Sequence, residues 1–105
     1  MPSERAAVLS LKVKKWIAAS ERMSLLQIMA LSIRMVREAI KGDMTAKQAH
    51  ALDRALGKRI NSIDEDLKSG RISPEAHLER EKRAATIPYY RVRPRRSATL
   101  HRHAG

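Results

Sequence analysis

One hundred and five residues allow one small domain, and with aromatics at 3% (Trp16, Tyr89, Tyr90 and no Phe) its core has to come from Leu, Ile, Val, Met and Ala. That aliphatic supply favours helices over a β-sandwich. The lack of cysteine excludes a disulfide scaffold, thiol catalysis and Cys-type zinc sites, while the net charge of +11 points towards a polyanionic partner.

The charge is unevenly spread. Residues 1–87 carry seventeen basic and eleven acidic side chains, whereas residues 88–105 hold five arginines and no acid. The expected organisation is therefore an all-α domain of three to four helices over residues 1–87, followed by a basic, largely extended C-terminal arm over residues 88–105. Pro2-Ser3-Glu4-Arg5 does not read as a secretory signal, and the most apolar window, Leu25 to Ile33, is too short to span a bilayer. A cytoplasmic protein without a membrane partner is expected.

The first predicted helix starts from Ser3 and runs to about Ala19, with Leu9, Val13, Trp16 and Ser20 as its apolar stripe and Lys12, Lys14 and Lys15 beside it. Neither Gly nor Pro separates it from the next helix. Ser24 and Gln27 fit a capping box, so a break there and one long helix are both open. The second helix, Leu25 to Lys41, has a stripe of Leu26, Ala30, Ile33 and Ile40. Leu25, Ile28, Met29, Met35, Val36 and Ala39 widen it beyond half the circumference. A helix that apolar needs cover on two sides, and Leu26, Met29, Ile33, Val36 and Ile40 are expected at a partner or homodimer interface.

Thr45 and Gln48 open the third helix with another capping box. Its seam is Ala49, Leu52, Leu56, Ile63 and Leu67, with Ile60 expected to fill the place between, and Gly57 expected at a close helix crossing. Ser73-Pro74-Glu75 starts a fourth helix, thinly apolar at Ala76, Leu78, Ala84 and Ala85, dense in charge from Glu79 to Arg83, and expected to pack lightly on the third.

Of the histidines (His50, His77, His101, His103), only His101 and His103 have a spacing that could bind a metal, weakly and with no further ligand beside them; the acidic run Asp64-Glu65-Asp66 lacks the loop and spacing of a calcium site, and no phosphate loop or nucleophile motif is present. Neither a metal, a cofactor nor a catalytic residue is expected, and the acidic run is expected to pair with Lys68, Arg71 or the Arg-rich tail. The segment around Gly57 faintly resembles a helix-turn-helix, in which Lys58, Arg59 and Asn61 would face a groove; the unbroken seam argues instead for one helix through Gly57.

The arm carries the stronger signal. In Tyr89-Tyr90-Arg91-Val92-Arg93-Pro94-Arg95-Arg96, arginines alternate with apolar or restricted residues, suited to phosphate contact, with the tyrosines either stacking on bases or packing on the domain. The expected nucleic-acid contacts are Arg91, Arg93, Arg95, Arg96, Arg102, Lys12, Lys14, Lys15, Lys58, Arg59, Tyr89 and Tyr90. The expected function is a small nucleic-acid-binding accessory or regulatory protein, with DNA ahead of RNA, contacting mainly phosphate. The alternative is an interaction module that buries an apolar helix in a partner and docks its arm on an acidic protein surface.

The pattern Leu52-Asp53, Gly57-Lys58, Ser62-Ile63-Asp64-Glu65-Asp66-Leu67, Gly70 and Ile72 is similar to a cytoplasmic loop of the flagellar and type III export-gate family. The resemblance is one of helical-hairpin chemistry and implies no function for this chain.

Overall fold

The structure, a computed structural model, describes residues 4–94. Arg95, Arg96 and Arg102, together with His101 and His103, lie outside the described residues. Among those described there are four α-helices and no strand: α1 (Glu4–Ala19), α2 (Leu25–Lys41), α3 (Ala46–Lys68) and α4 (Pro74–Ala84). None is long and apolar enough to cross a membrane.

The break between α1 and α2 follows from capping. The chain tightens into a 3-10 turn over Ser20–Arg22, and Ser24 then caps α2 while Gln27 returns the hydrogen bond to the Ser24 N–H at 2.8 Å. Two otherwise orphaned backbone donors are satisfied together, which tips the choice away from one long helix. Gly42, at φ 81°, ends α2 in the left-handed region, where a side chain would be strained. The Thr45–Gln48 box opens α3, and Ser73 caps α4 with Pro74 in its first turn.

The core lies where α1 and α2 meet α3. The α1 stripe of Leu9, Val13, Trp16 and Ser20 is buried, as the spacing predicts, and faces Leu52 and Leu56 of α3 and Ile28 and Leu31 of α2, with Met23 and Met44 filling the ends. α3 runs unbroken through Gly57, which rules out a helix-turn-helix at that point.

Three packing expectations are corrected. Ile60 is 43% exposed; the seam place between Leu56 and Ile63 belongs to the half-buried Arg59, one residue earlier, because the 3-4 alternation returns the stripe there. Gly57 marks no close crossing, since a Cβ built on it meets nothing within 4 Å. And α4 docks mainly on the N-terminus of α2 rather than on α3. Its Glu81 carboxylate accepts from the N–H groups of Leu25 (2.8 Å) and Leu26 (3.2 Å), and the Gln27 amide donates to the carbonyls of Ala84 (3.3 Å) and Ile87 (2.7 Å). A carboxylate there complements the positive end of the α2 dipole. The acidic run pairs locally, Asp64 with Lys68 at 3.0 Å and Asp66 with Arg71 at 3.5 Å.

Candidate nucleic-acid interface

The α1 stripe decides where its lysines point. At about 100° per residue, burial of Leu9, Val13 and Trp16 sends Lys12 and Lys15 to one flank and turns Lys14 about 100° or more away from both. All three are exposed, but only Lys12 and Lys15 face the start of the C-terminal segment.

That segment does not leave the domain at Pro88. Tyr89–Arg91 form a 3-10 turn, and Tyr89 and Val92 are partly buried against the core. Tyr89 meets Trp16 edge-on at a centroid distance of 5.9 Å, and Tyr90 meets Tyr89 at 5.5 Å. Arg34 of α2 ties the cluster together. Its guanidinium lies 5.7 Å from the centre of the Trp16 ring, and one terminal nitrogen donates to the Tyr89 hydroxyl at 3.4 Å. Of the two tyrosine roles, Tyr89 takes packing, whereas Tyr90 remains 64% exposed.

The result is a groove of about 460 Å³ whose charged lining is entirely basic: Lys12 and Lys15 from α1, Arg34 from α2, and Arg91 and Arg93 from the C-terminal segment. Trp16, Tyr89 and Tyr90 form its floor and rim. A second hollow of about 610 Å³ shares Lys12 and Arg34 and continues to Arg37 and Lys41. Its one acid, Glu38, is buried and lies 3.8 Å from Arg34 and 3.6 Å from Lys41, so its charge is locally offset. Seven cations thus line two adjoining hollows along α1 and α2. An array of one sign, partly walled by low-dielectric protein, attracts anions more strongly than the same charges dispersed in water.

The structure gathers Lys12, Lys15, Tyr89, Tyr90, Arg91 and Arg93, and leaves Lys58 and Arg59 elsewhere, beside Ile17, Ser20 and Glu21. Arg59 is committed to the fold: its Nε donates to the Met23 carbonyl at 2.9 Å. Burial first, and the Arg80 charge second, hold its guanidinium below the ordinary arginine value, against the opposing pull of Asp66, Glu81 and Glu21. Sequence reasoning missed Arg34, Arg37 and Lys41. Their 3-4 spacing was the available signal, since it sets three cations along one edge of α2. No family model matches the chain, and neither a curated protein nor a solved structure is significantly similar to it.

Proposed function

We propose that the protein is a non-catalytic, nucleic-acid-binding accessory or regulatory protein that holds the phosphate backbone in the groove between α1, α2 and the segment after Pro88. DNA is the first candidate. The observation that carries this reading is the convergence of Lys12, Lys15, Arg34, Arg91 and Arg93 on one groove without an acid in its lining. Arginine forks chelate phosphate oxygens, and lysines add point charge. By sequence, Arg95, Arg96 and Arg102 add three cations directly downstream. Contacts of this kind fix position and supply affinity but read little sequence.

The test is a salt series with duplex and single-stranded DNA and the matching RNA. The five groove cations alone give a slope of log K against log salt of about −4.5 on duplex DNA, and contacts from the downstream arginines steepen it. The double variant R91A/R93A is expected to flatten that slope by about 2. Affinity that stays level between about 50 and 200 mM salt overturns the reading. Equal binding to polyglutamate would favour an acidic protein surface instead. Truncation after Ile87 is a poorer test, because it also removes Tyr89 and Val92 from the core packing.

A further inference from the structure

α2 is apolar on two opposite faces, and the described residues cover only one. Ile28 and Leu31 point into the core, whereas Leu26, Met29, Ile33, Val36 and Ile40 are 48–80% exposed. Those five follow a 3-4-3-4 spacing and fall within an arc of about 80° on the far side of the helix. This is the spacing of an a/d seam, about 21 Å long from Leu26 to Ile40. Ser32 and Ala39 border one edge, where another helix can approach closely, while Ala30 and the exposed Arg37 border the other. Ile87 and Tyr90, at 46% and 64% exposure, flank a hollow shared with Leu26 and Ala30 and widen the patch beside the N-terminal half of α2.

We propose that the occupant of this face is a second copy of the chain, with the two α2 helices packed antiparallel about a two-fold axis near Ile33. The inference goes beyond the nucleic-acid reading and does not rest on it. A heptad seam is self-complementary, so an identical helix supplies knobs and holes in register. The seven side chains expose roughly 800 Å² per protomer, which is the most that pairing could bury from them and about what a standard interface takes from each partner. Charge sets the direction. α2 has no charged side chain from Leu25 to Ile33, and Arg34, Arg37, Glu38 and Lys41 all lie in its second half. Parallel pairing would crowd the cationic halves together, while antiparallel pairing sets each against an uncharged half and opposes the two helix dipoles. It also brings Ile40, the most exposed of the five, onto the Leu26, Ile87 and Tyr90 patch of the other copy.

The test exploits the absence of cysteine from the chain. Sedimentation is expected to give about twice the monomer mass of 11.9 kDa. A short bismaleimide is expected to link I33C to itself, to leave L26C alone and I40C alone unlinked, and to link the two when they are mixed. I33E, at an exposed position, is expected to keep its helical circular dichroism and dissociate more than about a hundredfold more readily, because its charge would be buried without a partner. Self-linking of L26C overturns the antiparallel arrangement. A monomer at about 100 µM, leaving the face to a foreign helix, overturns the second copy as occupant, and so does an I33E protein that stays dimeric.

Discussion

The two apolar faces of α2 are built from the same residue types and have opposite fates. Ile28 and Leu31 are enclosed, while Ile33 and Ile40 of the same helix stand in solvent. Composition does not separate the two faces; position does. The enclosed face lies on the side where α1 and α3 arrive, and the open face lies about half a turn away. The lesson is that an aliphatic stripe reports a need for cover, while the source of that cover is decided by the rest of the fold.

Core truncation should separate the faces most sharply. Leu31→Ala and Leu52→Ala are each expected to destabilise by about 3 kcal/mol in urea titrations, because fully enclosed side chains leave cavities that relax only in part. Ile33→Ala, measured at concentrations where only monomer exists, is expected to stay within about 0.5 kcal/mol. Comparable losses at Leu31 and Ile33 would erase the distinction.

Gln27→Ala comes next, at about 2 kcal/mol. It removes half of the α2 capping box and the two hydrogen bonds that hold Ala84 and Ile87. Arg59→Ala is expected to cost about 1 kcal/mol, by freeing the Met23 carbonyl, without changing nucleic-acid affinity. Lys12→Ala and Lys15→Ala should do the reverse, lowering affinity with stability unmoved. A loss of affinity in Arg59→Ala equal to that in Lys12→Ala would restore the α3 cations to the site. The smallest effect is a gain: Gly57→Ala in helical, open surroundings should stabilise by about 0.5–1 kcal/mol.

Much of the fold was legible because short-range chemistry announces it. The capping boxes at Ser24 and Thr45, the Ser73-Pro74 start and the Gly42 stop mark helix ends within a few residues, and the α1 stripe names its own buried face. What stayed hidden depends on partners distant in sequence. Spacing puts Arg59 rather than Ile60 on the seam, but what lets an arginine lie there is the Met23 carbonyl, thirty-six residues away, that accepts from it. α4 goes to α2 because Glu81 finds the Leu25 and Leu26 N–H groups across more than fifty residues. The candidate site divides in the same way. The arginines after Pro88 and the α1 lysines stand out as charge, but their convergence depends on Tyr89 settling against Trp16 and Arg34, which no local pattern encodes.

α4 has no buried residue, and directional polar contacts through Glu81 and Gln27 hold it to α2. A segment fastened by a few latches rather than by enclosed hydrocarbon can detach without melting the remainder. The amides of residues 74–84 should therefore exchange with deuterium well before those around Leu52. Because Gln27 also grips Ile87, each such excursion would momentarily slacken the seat of Tyr89 and, with it, the spacing of the arginines that follow.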